Sequence, residues 1–381
     1  MSTHGTGRAM GFRDLVLFFV VTGVSLRWIA TAASAGPSAI VIWLVAWVGF
    51  FLPLAFTVVE LGSRHPDTGG IYTWAKIAFG DFGGFMTGWT YWASNLPYFP
   101  SVLYFTASNA LYIFGTRYLD LSTSPTYYIL FSVAAMVLAT GVNIVGLGVG
   151  KWLHNLGGIG TWAPVGILLV IAGIAWARFG SATAFTASAM VPSTHLKDLI
   201  FFAALIFAFG GSEAASFMGD EIRNPRQTLP RALLLAGTLV TLAYIAGTAA
   251  VLIALPQREV TGLAGIMEAI TRSADRIGVI GIAPIVALLV ALSNIGAVGA
   301  WLAATARLPF VAGLDHYLPR AFARMHPRWG TPWVALLTQA GLGVIFIFLG
   351  QAGTSVKGAY DVMVSMGIIA YEIPYLFTFA A

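Results

Sequence analysis

Apolar runs of about 20 residues, the length a helix needs to cross hydrocarbon, recur along the whole chain between short polar or Gly/Pro-bearing links. Ten can be marked, at approximately 14–35, 38–62, 83–113, 126–147, 153–177, 199–219, 230–255, 278–312, 332–350 and 360–381. Alternating segments of about 10 residues, the pattern of a membrane barrel, are absent. The pattern predicts an all-α multi-span membrane protein of about ten transmembrane helices, with residues 1–381 forming one transmembrane domain.

Composition supports this class. The 381 residues are 58% hydrophobic and 9% charged, with a mean hydropathy of +0.83, where a soluble domain carries about a quarter charged residues. Too little polar surface is left to cover a water-soluble body of this size. The polar, basic start MSTHGTGRAMGFRD leads into an apolar stretch with no small-residue cleavage site, so that stretch reads as span one and not a removed signal peptide. Twelve Lys and Arg fall in links on the side of the N-terminus and seven on the other, leaving Arg27 within a span. That asymmetry predicts a cytoplasmic N-terminus, and the expected location is the cytoplasmic (plasma) membrane. The pI near 9.5 reflects these link residues and is no sign of nucleic-acid binding. Cysteine is absent, so thiolate chemistry and disulfides are excluded. The last apolar segment stops without a polar flank, which suggests that further chain follows residue 381.

Two spans are interrupted at mid-depth. Span one carries Thr22-Gly23-Val24-Ser25, with Arg27 just beyond; span six carries Gly210-Gly211-Ser212, with Glu213 just beyond. Backbone in hydrocarbon must be bonded internally, so such breaks are tolerated only against protein or a wet cavity. They stand five spans apart, at matching places in two five-span halves, 1–177 and 199–381, the pattern of a transporter's central site. An unwound turn offers amides and a half-helix N-terminus to a carboxylate, and carbonyls with a half-helix C-terminus to an ammonium. A small zwitterion fits. The alternative reading is close helix packing, since small residues are common at membrane helix contacts.

Charges at such depth usually face a cavity or a partner. Glu213 reads as a protonatable group tied to binding or gating, or as an acid bonded to a neighbouring helix. Arg27 reads as a partner of Glu213, an anchor for an anionic group, or a structural pair. Glu372, in AYEIPY, reads as structural beside a proline kink. Pro97 and Pro100 bend span three; Ser94 and Asn95 just before them either line the cavity or bond between helices. No nucleotide, dinucleotide, metal-hydrolase or nucleophile signature stands in a convincing setting, and the histidines are scattered. The expectations are therefore no enzyme, no cofactor and no metal site.

Three stretches carry a family likeness: ELGSRHPDTGGIYTWAKIAFGDFGGFMTGW, FAFGGSEAASFMGDEIRNPRQTLPRA and ARLPFVAGLDHYLPRAFARMHPRWGTP, with the span spacing as a weaker fourth mark. Together they resemble the amino acid–polyamine–organocation (APC) superfamily, of the amino acid permease and antiporter type. The resemblance implies a five-plus-five inverted repeat with broken spans one and six, commonly followed by two further spans. It implies that Thr22, Gly23, Val24 and Ser25 meet a substrate carboxylate. Phe207, Ala208 and Gly210 would line the opposite side, with Phe207 as an aromatic gate, Ser94 and Asn95 facing the substrate from span three, and Glu213 tied to proton response. Two departures stand out. The usual Gly-small-Gly turn is here Thr22-Gly23-Val24 followed by Arg27, which tilts the expectation towards an anionic amino acid. The lysine that some proton-coupled relatives carry in span five is missing from GGIGTWAPVGILL.

The leading expectation is a secondary transporter of amino acids or close relatives, working by alternating access with a proton or a counter-substrate. The alternative is a non-transporting membrane sensor or subunit of the same fold.

Overall fold

Each of the ten apolar segments carries helix in the computed structural model, which describes residues 11–65, 70–115, 117–145, 147–211, 213, 222–314 and 317–381. Span one is two helices, α1 (Phe12–Gly23) and α2 (Leu26–Ser34). Span two runs through α3 (Ser38–Ala46) and α4 (Leu52–Arg64) across a π-helical turn, Trp47–Phe51. Pro53 has no N–H for the carbonyl four residues back, and just ahead of it the Leu52 N–H reaches five residues back to Trp47; the turn widens there.

Span three lies in α5 (Ile71–Ala110), which kinks at Gly80 and contains Pro97 and Pro100. Spans four and five are α6 (Pro125–Val145) and α7 (Leu147–Phe179). A short α8 (Ala187–Met190) leads to α9 (Leu196–Ile206), the first half of span six. Span seven is α10 (Pro225–Ala254). The link after it folds as a separate amphipathic helix, α11 (Gly265–Ile277), which buries Ile266, Met267, Ala269, Ile270 and Ala274. Span eight, α12 (Ile282–Thr305), passes into α13 (Arg307–Leu314), and spans nine and ten are α14 (Trp333–Gln351) and α15 (Val356–Ala380).

Among the described residues, seven helical runs are long and apolar enough to cross a membrane unaided. The remaining three segments are the ones the site is built from. Spans one and six are cut in two. Span three is diluted by Thr87, Thr90, Ser94, Asn95, Ser101, Thr106, Ser108 and Asn109, every one of them buried. A polar span is tolerable only where other helices shield it from lipid. α15 and α12 flank α5, α12 also packs along α7, and α10 packs along α1. The outer surface is apolar instead, with Val48, Phe56, Leu130, Val170, Ile285, Phe348 and Ile369 all exposed. Polar inside and apolar outside is the arrangement of a bundle dissolved in lipid.

Candidate functional site

Both interruptions are real breaks in winding. After α1, Val24 (φ −90°, ψ 118°) and Ser25 (φ −121°, ψ 121°) are extended before α2 begins. After α9, Phe207–Phe209 form one 3-10 turn and Gly210 is extended (φ −62°, ψ 157°). Gly211 follows at φ +105°, a left-handed conformation that side-chain-bearing residues avoid. Gly210 is fixed by space: a Cβ there would lie 2.8 Å from Tyr371 Cε1 and 2.9 Å from the Tyr375 hydroxyl.

One residue ties the two breaks together. The Tyr244 hydroxyl, from α10, donates to the Gly23 carbonyl at 2.7 Å and accepts from the Ser25 N–H at 3.2 Å. The Ala208 carbonyl of span six lies 3.4 Å from the same oxygen. Tyr244 is itself held by stacking on Trp43, 4.4 Å between ring centroids, and Trp43 is anchored by its Nε1–H to Thr248 at 3.0 Å. A buried tyrosine needs a polar partner; this one finds its partners in the unwound backbone.

Beside this clasp lies a cavity shared by spans one, three and six. Gly23 and Ser25 line it from span one, Ser94 and Asn95 from span three, and Phe207, Ala208 and Gly210 from span six. Asn95 Nδ2 and the Ser94 hydroxyl both donate to the Tyr91 carbonyl, at 2.7 and 2.6 Å. Val24 is buried next to the break, and Gly211 lines a neighbouring apolar hollow with Gly23, Ala208 and Gly210. Thr22 falls in the last turn of α1; its side chain and the whole of Ser212 lie outside the described residues.

Five further lining residues come from the structure alone: Trp28, Tyr98, Tyr244, Trp301 and Tyr371. Phe207 packs edge-on against both Trp28 and Tyr371, at 5.6 and 4.8 Å between ring centroids. Tyr98 carried a readable signal, because Tyr91, Ser94/Asn95 and Tyr98 recur at helical spacing on one face of α5. Tyr371 stands next to Glu372 in the AYEIPY stretch, where the acid is the more conspicuous residue. Tyr244, alone in an apolar run, had no local signal.

Glu213 is fully buried and held by four donors. Tyr91 donates to Oε1 at 2.9 Å, and Tyr371 donates to the same oxygen. Tyr375 and the Gly211 N–H each reach Oε2 at 3.0 Å. The carboxyl group thereby pins span six to spans three and ten. Arg27 does not pair with it. Its Nη1 donates to Ser101 at 2.6 Å, and its guanidinium lies 4.5 Å from the Trp28 ring and 5.3 Å from the Tyr98 ring. Glu372 is half-buried in α15. Among the described residues, no cluster of three or more His, Asp or Glu could hold a metal ion.

Comparison with known proteins agrees with this architecture. An uncharacterized transporter of Legionella pneumophila is 28% identical over 378 residues, 97% of this chain and 79% of its own length. The serine/threonine exchanger SteT of Bacillus subtilis is 28% identical over 339 residues, covering 87% of this chain and 73% of its own. A probable agmatine/putrescine antiporter, AguD of Lactococcus lactis, is 22% identical over 92% of this chain and 74% of its own. The crystal structure of MhsT in complex with L-phenylalanine superposes with a TM-score of 0.64 at 16% identity, over 96% of this chain and 88% of that one; it shares the fold. The sequence profile described as amino acid permease matches residues 10–381, and the chain belongs to that family, an integral multi-pass secondary transporter of the APC superfamily.

Proposed function

We propose that the protein carries an amino acid, or a closely related small zwitterion or anion, across the cytoplasmic membrane by alternating access. Its N-terminus is cytoplasmic in this reading, and residues 1–177 and 199–381 are the two five-span halves that move against each other. One observation carries the proposal: the unwound turns of spans one and six open on one cavity, joined through the Tyr244 hydroxyl. Carbonyl and amide groups released by the breaks are the ligands a substrate's ammonium and carboxylate need. Phe207, between Trp28 and Tyr371, is the aromatic gate on the span-six side.

Glu213 is the coupling group in this account. Its tyrosine bonds run to spans three and ten, so a change in its protonation would alter how span six is tethered. The driving partner is a proton or a counter-substrate moved in exchange. The names of the exchanger and antiporter relatives favour exchange.

The test is uptake of labelled amino acids into proteoliposomes, with and without a pH gradient and with or without unlabelled solute inside. Uptake that rises with internal solute or follows the pH gradient is expected. Binding without flux would mark a membrane sensor instead, and a folded protein that neither binds nor moves any solute would overturn the reading.

A further inference from the structure

Arg27 and Glu213 are the two buried charged side chains among the described residues, and they are satisfied very unequally. Glu213 accepts four hydrogen bonds from the described residues. Arg27, 2% exposed, donates one, to the neutral Ser101 hydroxyl, while its Nε is buried without any partner. No carboxylate oxygen lies within 4.0 Å of it among the described residues. A desolvated cation without a counter-charge is unfavourable and is retained where something completes it.

Its place in the fold adds to the imbalance. Arg27 is the second residue of the nine-residue α2, at the helix end that already carries positive partial charge and disfavours a cation. Helix dipole and guanidinium therefore sum to one positive region. It lies directly behind the cavity wall: the two rings it stacks on, Trp28 and Tyr98, both line the cavity, as does Ser25 two residues earlier. No acidic residue appears among the described residues that line the cavity, and the carboxylate of Glu213 is engaged by its own donors. The fixed charge felt inside is positive, in a low-dielectric wall where it is little screened.

We propose that Arg27 is a specificity-determining residue that makes the cavity select solutes of net negative charge, namely amino acids carrying a second carboxylate. The inference rests on the transport reading and names its substrate class. The α-amino and α-carboxyl groups meet the unwound backbone; the additional carboxylate supplies the counter-charge that Arg27 lacks among the described residues.

The experiment compares solutes matched in shape and unlike in charge, glutamate with glutamine and aspartate with asparagine, in uptake by the full chain in proteoliposomes. Wild-type protein is expected to prefer each acid over its amide by about tenfold or more, the low end of the coupling measured between close charge pairs. Arg27→Gln should bring the ratio to about one while amide uptake stays within about threefold, and Arg27→Lys should keep a preference for the acid. An unaltered protein that moves the amides as well as or better than the acids overturns the proposal, and this arm needs no variant. So does Arg27→Gln lowering acid and amide in parallel, which marks a structural role. Neutral uptake that stops when chloride is replaced by gluconate also overturns it, since an inorganic ion is then the counter-charge. Absence of binding and flux for all four solutes, with another amino acid still moved, also overturns the proposal; only the same silence towards every amino acid would sink the transport reading itself.

Discussion

The two broken turns begin alike and end differently. Each interrupts a span near its middle, and each is followed within a few residues by a buried ionisable group. At span six the break is rigidly specified: Gly211 must adopt φ +105°, Gly210 leaves no room for a Cβ, and Glu213 is enclosed by three tyrosines and a backbone amide. At span one the break is held from outside, by Tyr244, and its charge has an open account. A charge fully satisfied by protein groups acts as a tether, whereas one left short of partners acts on what enters the cavity. On the proposed reading, coupling belongs to span six and selectivity to span one.

The contrast breaks most severely at Glu213. Glu213→Leu removes the acceptor of three buried hydroxyls and one amide, and should destabilise the fold by about 1–3 kcal/mol for each donor left unsatisfied, read as thermal unfolding in detergent. Glu213→Gln keeps an acceptor and should fold normally; transport that remains as pH-dependent as in the unaltered protein would remove the proposed coupling role. Next comes Gly210→Ala. Its methyl would press on Tyr371 and Tyr375, and overpacking of this kind costs about 1–3 kcal/mol. Reduced melting temperature together with reduced binding is the expected pair of changes. If Gly210→Ala is as stable as the unaltered protein, the close packing of span six against span ten is refuted.

Tyr244→Phe sharpens the comparison from the other side. Losing one hydroxyl should remove about 0.5–1.5 kcal/mol of stability, yet it frees the Gly23 carbonyl and Ser25 amide that it now occupies. Substrate affinity should therefore change more than stability, and an unchanged affinity would separate Tyr244 from the site. The smallest effect is expected at Glu268 on α11, an ionisable group at the edge of the bundle. Burial pushes its carboxyl above the usual carboxylate range, while Arg272 pulls it down and Glu259 pushes it up. The raised value means that the folded protein prefers the protonated form, so stability falls as pH rises from the unfolded value of about 4.3 through the folded one. Glu268→Gln should thus melt slightly higher at neutral pH, by about 0.5 kcal/mol or less because solvent screens the group, with the difference vanishing below about pH 4. A difference that persists in acid would contradict this.

Much of this architecture was legible in the chain because hydrocarbon imposes a simple grammar. Apolar length marked the spans, and glycines beside ionisable residues marked the two breaks, since neither belongs in hydrocarbon without a reason. Ser94 and Asn95 were legible on α5 beside the prolines, and helical spacing places Tyr91 and Tyr98 on the same face. What closes the site was not legible. Tyr244 meets Gly23 from 221 positions away, and Tyr371 meets Glu213 from 158. A tyrosine within an apolar run reads locally as filling, and only the packing of α10 and α15 against the breaks shows where its hydroxyl goes. The partner of Arg27 was likewise beyond reach, because spacing cannot tell Ser101, one turn after Pro97, from an acid across the bundle.

The central claim is that the cavity between the two breaks holds the transported solute, and the chain's lack of cysteine allows a direct test. Ser25→Cys and Ser94→Cys, each the sole thiol in residues 1–381, would be exposed to a water-soluble thiol reagent with and without transported amino acid, with Ser188→Cys on the exposed α8 as control. Protection by the amino acid at both cavity positions, at the concentrations that saturate transport and with none at the control, is the predicted result. Labelling at both cavity positions that proceeds at the same rate with saturating solute would contradict the account.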